Sequence, residues 1–277
     1  MKRIYIVNEK SGKNKALNVM KQIKEVCDEE KLDYEIISTK SKLDATNITK
    51  HYDDLNNVIF SVGGDGTLNE VVNGIDKSKL GIIPVGTGND FYRSVSNTTD
   101  KIDLGKVNDR YFINTAALGI DAYVADVANT YKDKGYNNAY IRGIIKALKE
   151  YKNIVLNNEE ILLLTICNGK YYGNGFNIAP FAKINDGYLD LCRVNDINIL
   201  KLASLLLKLT KATHVNDDKF IHKRIKEFKI ESETPLLCNI DGESIYDYKY
   251  NFEILENKIV YFNETNPKIK KIIHDIK

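Results

Sequence analysis

VIFSVGGDGTLNEVVNG, residues 58–74, is the stretch that decides the fold. Its first five residues are mostly apolar and predict a buried strand, while Leu68, Val71 and Val72 follow at helical spacing. Glycines between a strand and a helix allow positive φ and a close backbone approach, and a helix N-terminus offers unpaired N–H groups to a phosphate. The stretch therefore predicts a strand, a phosphate-holding loop and a helix. For such a loop taken alone, a tight turn capped by Asp65 is the alternative interpretation.

The residues on both sides continue this alternation of strand and helix. Candidate strands are Ile4–Asn8, Tyr34–Thr39, Val58–Val62 and Gly81–Pro84, and candidate helices are Lys13–Glu30, Asp44–Tyr52 and Thr67–Ile75. Such βαβ units build a Rossmann-like parallel sheet, whose ligands bind beyond the C-terminal ends of the strands. We therefore predict an N-terminal nucleotide-binding α/β domain over residues 1–108.

From residue 109 onward, short strand-like runs alternate with polar loops. The candidate strands are Tyr111–Leu118, Ile161–Asn168, Gly187–Val194, Lys226–Ser232, Leu236–Ile240, Asn251–Leu255 and Lys258–Phe262. They predict an antiparallel β-sandwich domain over residues 109–263, interrupted by helices at Ala139–Tyr151 and Ile197–Lys211. A closing helix, Asn266–Ile276, is expected to pack with the rest of residues 264–277 on the first domain, which leaves a cleft between the two domains.

A second glycine-rich loop, PVGTGNDF at residues 84–91, also follows a short apolar strand. Two such loops at successive strand ends, and a weaker third in NEKSG at residues 8–12, are hard to explain as simple turns. The chain contains neither the GxxxxGK[ST] pattern of P-loop ATPases nor the GxGxxG of dehydrogenases. The three loops therefore predict a phosphate site of another kind.

Composition narrows the remaining choices. Hydrophobic residues make up 43% of the chain and charged residues 28%, as in an ordinary globular protein. A net charge of +2 is too small for a dedicated nucleic-acid binder, so nucleic acid is not an expected partner. Neither a CxxC pair nor an HExxH motif occurs, so zinc is not indicated and a cytoplasmic location is expected. The longest apolar runs, residues 161–167 and 202–209, are shorter than the roughly 20 residues that span a bilayer.

GGDGTLNEVVNG (63–74) together with PVGTGNDF (84–91) resembles the catalytic domain of the diacylglycerol kinase family, in particular its soluble bacterial lipid kinases and their sphingosine-kinase relatives. NEKSG (8–12), NDGYLD (185–190) and Asp241-Gly242-Glu243 recur at the expected places, so the resemblance covers essentially the whole chain. It implies transfer of the γ-phosphoryl group of ATP to a lipid hydroxyl in lipid metabolism, with Mg²⁺ as cofactor. Conversion of diacylglycerol to phosphatidic acid is the leading reaction.

The resemblance also implies a nucleotide site built from the three loops and the end of the second strand. Its residues would be Asn8, Ser11, Gly12, Thr39, Gly63, Gly64, Asp65, Gly66, Thr67, Leu68, Asn69, Glu70, Gly86, Thr87 and Asn89. Phosphoryl transfer depends mainly on positioning and charge neutralisation, which N–H donors and carboxylates in these loops can supply.

Carboxylates carry the remaining roles that the resemblance implies. Asp65, Asp90 and Asp103 resemble the residues that organise Mg²⁺ and its waters, and scattered aspartates suit an ion that prefers oxygen ligands. A second, structural Mg²⁺ would be held by Asp186 and the carbonyls of Lys183 and Tyr188. Glu243 resembles the proton acceptor for the lipid hydroxyl and Asp65 is its catalytic companion, although which of the two takes the proton is open. Asp241 and Glu243, two apart on a strand, would point to one face.

Several alternatives accompany this interpretation. Glu9 replaces a proline that is usual in the family, and residues 168–175 depart from its glycine-rich run. The helix at Leu200–Leu209 either faces a membrane or packs on the β-domain. The expected partner is a lipid alcohol met peripherally at the inner membrane face, and a homodimer is compatible with the sequence. The rival functions are a NAD kinase-like phosphotransferase and a non-catalytic nucleotide- or lipid-binding relative.

Overall fold

The first unit of the fold is a parallel α/β layer. The computed structural model describes residues 1–156, 159–195, 197 and 199–276. The unit consists of β1 (Lys2–Val7), α1 (Lys15–Glu29), β2 (Tyr34–Ser38), α2 (Asp44–Tyr52), β3 (Asn57–Gly63), α3 (Asp65–Val72) and β4 (Lys79–Pro84). Every element predicted for this part of the chain is present, with ends displaced by at most three residues.

The four strands form one sheet in the order β2-β1-β3-β4, with all neighbours parallel. Val62 on β3 is paired with Val7 on β1 and with Ile83 on β4, so the three strands end at the same level. The loops that follow them leave the sheet side by side, as the sequence predicts.

Glycines allow these loops to touch backbone to backbone. A Cβ atom on Gly86 would lie 2.3 Å from the Cα of Gly64, and one on Gly12, whose φ is +60°, would lie 2.0 Å from the carbonyl oxygen of Val85. The amides of Val85 and Gly86 both donate to the carbonyl of Gly63, at 3.0 and 3.1 Å. The three loops therefore form one packed surface that no residue with a side chain could build in the same way.

The second unit is an antiparallel β-structure with three helices. Its elements are β5 (Lys101–Val107), β6 (Arg110–Phe112), β7 (Thr115–Gly119), α4 (Ile120–Asp133), α5 (Ala139–Glu150), β8 (Ile154–Leu156), β9 (Glu159–Cys167), β10 (Tyr171–Tyr172), β11 (Phe176–Asn177), β12 (Leu189–Asn195), α6 (Ile199–Leu209), β13 (Phe220–Ile225), β14 (Glu227–Ile240) and β15 (Glu243–Val260). Nine strands make one sheet in the order β13-β12-β9-β7-β14-β15-β5-β6, with β8 paired to β9. Leu191 on β12 and Phe112 on β6 share one apolar cluster although their strands lie far apart in this order, so the sheet folds over on itself. This confirms the predicted antiparallel sandwich.

Several elements of this unit differ from the sequence prediction. Strands β8, β10, β11 and β13 were not predicted, and the four predicted strands between Lys226 and Phe262 form only two, β14 and β15. Helix α4 was not predicted, because its buried residues are mostly alanine and valine and it follows β7 through Gly119 without a loop. Strand β5 was not among the predicted strands, and the predicted strand Tyr111–Leu118 is divided into β6 and β7. The predicted helix Ile197–Lys211 is present as α6, while Asn198 within it and the terminal Lys277 lie outside the described residues.

The end of the chain returns to the first unit. The amide of Phe262 donates to the carbonyl of Leu80 on β4 at 2.8 Å, and helix α7 (Pro267–Asp275) follows. The Asn266 side chain caps α7, because it accepts from the amides of Lys268 and Ile269. Ile269 lies in one apolar cluster with residues of α1 and of the first sheet. The division of the chain between residues 108 and 109 stays a prediction, although β5, which precedes it, already pairs with β15.

We expect Ile269→Ala to lower the free energy of unfolding by about 2–5 kcal/mol, because the side chain is fully buried between α7 and the first unit. Urea denaturation followed by circular dichroism measures the change. Lys270→Ala, at the exposed neighbouring position, is the matched control and should leave the midpoint nearly unchanged. Equal midpoints for the two variants would show that α7 is not part of this core.

Candidate active site

A groove of about 870 Å³ lies between the two units. The first unit contributes Asn8, Thr39 and the start of α3, including Gly66 and Thr67. The second unit contributes the turn between β14 and β15, which carries Glu243. Residues expected to hold a nucleotide and the residue expected to accept a proton therefore face the same space.

The N-terminus of α3 forms one wall of this groove. The first amides of a helix have no partner within the helix, and they carry its partial positive charge. A Cβ atom built on Gly66 would have no neighbour within 4 Å, so the backbone here is open to a ligand. The Asn8 side chain donates to the Thr67 hydroxyl at 3.4 Å and joins the loop after β1 to this wall. The arrangement suits a phosphate group.

Asp241 and Glu243 have different environments, which corrects the prediction that both lie on one face of a strand. Asp241 and Gly242 both have positive φ, 46° and 98°, and Ile240 pairs with Glu243, so they form a two-residue hairpin turn. The Glu243 side chain is about half exposed in the groove and forms an ion pair with Lys42 across it. Asp241 also lines the groove, but its carboxylate oxygens face hydrogen-bond donors of both units.

The buried Asp241 carboxylate joins the two units. It accepts hydrogen bonds from the amides of Ile113, Asn114 and Thr115, at 2.7, 3.1 and 2.8 Å, and from the side chain of Asn69 on α3, at 2.8 Å. Burial raises the pKa of Asp241 to about 6, although these donors oppose the rise. Asn69, predicted to contact the nucleotide, thus uses its amide in an interdomain contact. The DGE run was the signal for this turn, but the role of Asp241 was missed.

Asp65 and Asp90 meet at the loop after β4. A Cβ atom on Gly88 would lie 3.2 Å from Oδ2 of Asp65 and 3.5 Å from Oδ2 of Asp90. Asp65 accepts from the amides of Asp90 and Phe91, at 3.0 and 3.1 Å, and Asp90 accepts from the amide of Asn174 at 2.8 Å. Burial, and secondarily the charge of Asp65, raises the pKa of Asp90. Oδ1 of Asp90 is buried without a partner among the described residues. Such a pair fits a hydrated cation.

Asp103, which the sequence grouped with Asp65 and Asp90, has other partners in the structure. Its two carboxylate oxygens accept from the amides of Gly187 and Asn257, at 2.7 and 2.6 Å, so it anchors the loop expected to hold a second metal. Within that loop, Asp186 forms an ion pair with Arg224. Lys183 is exposed, and the Tyr188 ring lies 4.0 Å from the Arg224 guanidinium. Arg224 already provides the cation that Asp186 faces, and the described residues hold no cluster of three His, Cys, Asp or Glu suited to a metal.

The remaining predicted nucleotide residues fall into two groups. Gly12, Gly86, Thr87 and Asn89 line a second groove of about 800 Å³, where the side-chain amide of Asn89 donates to the carbonyls of Pro84 and Gly86. Three others support structure: Glu70, which also lines the first groove, accepts from the amide of Ala45 at the start of α2, Leu68 is buried in the core, and Gly63 packs on Thr67. Ser11 donates its amide to the carbonyl of Asn8, and a Cβ atom on Gly64 would lie 3.9 Å from the Ser11 hydroxyl.

An apolar cavity of about 80 Å³ lies in the second unit. Its lining comes from α4, α5, α6 and β9 and includes Ile120, Val124, Ile144, Leu162, Leu163, Leu202 and Leu205. Tyr140 also lines it, and burial raises the pKa of this tyrosine to about 12, with further contributions from Asp121 and Asp90. The Tyr140 hydroxyl would lie 3.5 Å from a Cβ atom on Gly173, and the next residue, Asn174, donates its amide to Asp90, so the β10–β11 hairpin connects the cavity to the Asp65–Asp90 pair.

Asp121 is the carboxylate in this cavity. It accepts a hydrogen bond of 2.6 Å from the Thr165 hydroxyl, while its Oδ1 has no partner within the described part of the chain. Burial raises the pKa of Asp121 from 3.8 to about 7, so near neutral pH the cavity holds a carboxyl group that is partly uncharged.

Two family models match the chain in succession. Residues 2–114 match the diacylglycerol kinase catalytic domain, and residues 114–261 match the YegS C-terminal NAD kinase beta sandwich-like domain. A diacylglycerol kinase of Staphylococcus saprophyticus is 34% identical over 83% of this chain and 83% of its own length. One from Staphylococcus aureus is 36% identical over 74% of each chain.

Solved structures have the same fold. A crystal structure of a diacylglycerol kinase from Bacillus anthracis str. Sterne superposes with a TM-score of 0.71 over 95% of this chain and 97% of that one, at 23% identity. The two units, the glycine loops and the sequence similarity together define a lipid kinase. The chain belongs to the diacylglycerol kinase family. Among the described residues, no helix has the length and apolarity needed to cross a membrane.

The raised pKa of Asp121 predicts a pH-dependent stability. Because the group binds its proton more tightly in the folded chain, its stabilising contribution is full below about pH 4 and is lost as the pH rises through about 7. We expect the free energy of unfolding of wild type, relative to Asp121→Asn, to fall over this interval. Urea titrations at several pH values measure it. Asp133→Asn, at an exposed position on the same helix, should give a flat difference, and a flat difference for Asp121→Asn would contradict the burial of its charge.

Proposed function

We propose that this lipid kinase transfers the γ-phosphoryl group of ATP to the hydroxyl of diacylglycerol and releases phosphatidic acid. The observation that carries the proposal is the hairpin β10–β11, which connects an apolar cavity to the Asp65–Asp90 pair: Tyr172 and Phe176 line the cavity, and the amide of Asn174 between them donates to Asp90 at 2.8 Å. An apolar lining of this kind suits hydrocarbon. The proposed location is the cytoplasm, with peripheral contact at the inner face of the membrane.

The nucleotide is proposed to lie in the groove between the units. Its phosphates would meet the amides at the start of α3 and the side chains of Asn8 and Thr39. Asp65 and Asp90 would hold Mg²⁺, which in kinases neutralises the negative charge that the phosphates bring. The unpartnered Oδ1 of Asp90 supports this assignment, whereas the pairing of Asp186 with Arg224 gives no support to a second ion.

Glu243 is proposed as the proton acceptor. It is accessible in the groove, whereas both oxygens of Asp65 already accept backbone hydrogen bonds. Helix α4 connects the two sites, because Val124 lines the apolar cavity and Asn129 donates to the carbonyl of Gly242 at 2.9 Å. In the reaction the lipid hydroxyl gives its proton to Glu243 and its oxygen bonds to the γ-phosphorus. The bond from that phosphorus to the bridging oxygen breaks, and ADP leaves.

We expect Glu243→Gln and Asp65→Asn to reduce kcat by about 10²-fold or more, because each removes a charge used in phosphoryl transfer. The assay follows labelled phosphate from ATP into a dioleoylglycerol mixed micelle, with circular dichroism to confirm folding. Glu231→Gln, which removes an exposed carboxylate farther along the same β14–β15 hairpin, is the matched control and should keep wild-type activity. Full activity in either site variant would remove the role assigned to it.

The acceptor is identified by incubating the enzyme with labelled ATP, Mg²⁺ and a total lipid extract, followed by mass spectrometry of the labelled products. We expect phosphatidic acid to be the dominant product, because the cavity is lined by apolar side chains and presents Asp121 as its carboxylate. NAD is included in a parallel reaction. Labelled NADP, or a different phospholipid as the main product, would contradict the proposed reaction.

A further inference from the structure

Helix α5 contacts the protein through its small residues. Ala139, Gly143 and Ala147, four apart, are buried. A Cβ atom on Gly143 would lie 2.7 Å from the carbonyl oxygen of Val124, so this glycine lets α5 approach the backbone of α4 closely. On most surface helices the face that packs on the protein carries large apolar residues, whereas on α5 this face carries small ones.

Three large apolar residues of α5 are exposed to water instead. Ile141, Ile145 and Leu148 recur at i, i+4 and i+7 and are 57%, 50% and 38% exposed, and Tyr136, in the turn before the helix, is 49% exposed. This outward face reverses the usual pattern of a surface helix. Contiguous exposed apolar residues of this kind mark a surface that another apolar phase covers.

Charge indicates what covers the outward face. Residues 131–152 contain six Lys or Arg and two Asp or Glu, whereas the whole chain carries a net charge of only +2. Arg142 and Lys149 are exposed beside the isoleucines, and the Arg142 guanidinium lies 4.8 Å from the centre of the Tyr136 ring. Cations and a tyrosine around an apolar stripe are typical of a helix that lies in the interface of an anionic membrane.

The same helix also forms part of the apolar cavity. Ile144 and Leu148 line the cavity, and Leu148 is partly exposed on the outward face as well. The outward face is thus continuous with the wall of the space assigned to the lipid chains. A membrane bound to this face would place the apolar cavity next to the bilayer hydrocarbon, which contains the lipid substrate.

We propose that the outward face of α5 is the membrane-docking surface of this kinase and that its occupant is a bilayer rich in anionic phospholipid. The inference rests on the proposed function, because it assigns to that function its route of lipid entry. At twelve residues α5 is about 18 Å long, so it lies in the interface and does not span the bilayer. Of the three helices that line the cavity, α4, α5 and α6, the role is assigned to α5.

The test is sedimentation of the full chain with large vesicles of phosphatidylcholine and phosphatidylglycerol in a 3:1 ratio, and of phosphatidylcholine alone. We expect Ile141→Ser combined with Ile145→Ser to lower binding to anionic vesicles about tenfold or more, because the variant removes the inserted apolar groups. Wild type should bind the neutral vesicles much more weakly. Leu55→Ser, at a position 75% exposed on the first unit, is the matched control and should bind like wild type.

Activity on a water-soluble dihexanoylglycerol separates this inference from the proposed function. The isoleucines do not line the cavity, so the double variant should phosphorylate this substrate at the wild-type rate and lose activity only on vesicle-borne lipid. Equal vesicle binding by wild type and double variant would overturn the docking surface. So would a change from dimer to monomer in the double variant without any change in vesicle binding, which would assign the face to a second copy of the chain. A third result would overturn the proposed function alone. In that case vesicle binding depends on Ile141 and Ile145, but the enzyme is inactive on every glycerolipid.

Discussion

The buried carboxylate of Asp241 is the interaction on which the arrangement of the site depends. One side chain receives three consecutive backbone amides of the second unit, from Ile113 to Thr115, and the amide of Asn69 on α3 of the first. Each of these donors would cost about 1–3 kcal/mol if it were buried without a partner. The contact therefore fixes α3, whose N-terminus faces the groove, against the turn that carries Glu243.

Hydrogen bonding separates the roles of two neighbouring acids. Both line the groove, but the oxygens of Asp241 accept four hydrogen bonds that hold the two units together, whereas Glu243, two residues later, is half exposed. The two positive φ angles of the turn produce this divergence, because they reverse the chain between the two side chains. Asp241 therefore holds the turn in position, while the neighbouring Glu243 carboxylate stays free to react.

The sequence predicts the parts of the fold and site that depend on local patterns. The glycine loops were recognisable because strand, loop and helix signals adjoin each other, and the packing of Gly64 on Gly86 follows from them. Long-range contacts gave no such signal. The amide of Ile113 and the carboxylate of Asp241 are 128 residues apart, and the separation of Asp103 from the Asp65–Asp90 pair depends on strand pairings that no single segment encodes. In α5 the apolar spacing was visible, but its buried side could not be told from its exposed side until Gly143 was placed against α4.

The environments of Asp121 and Asp241 explain the chemistry of the cavity. Both carboxyls are buried, but Asp241 is surrounded by four donors, whereas one oxygen of Asp121 has no partner in the described chain. Donors favour the ionised form, so the pKa of Asp121, about 7, lies above that of Asp241, about 6. An ionised carboxylate would oppose the entry of hydrocarbon into the cavity. A carboxyl group that is partly protonated near neutral pH lowers that obstacle and has a hydrogen to donate, which supports the proposal of an uncharged acceptor with ester oxygens.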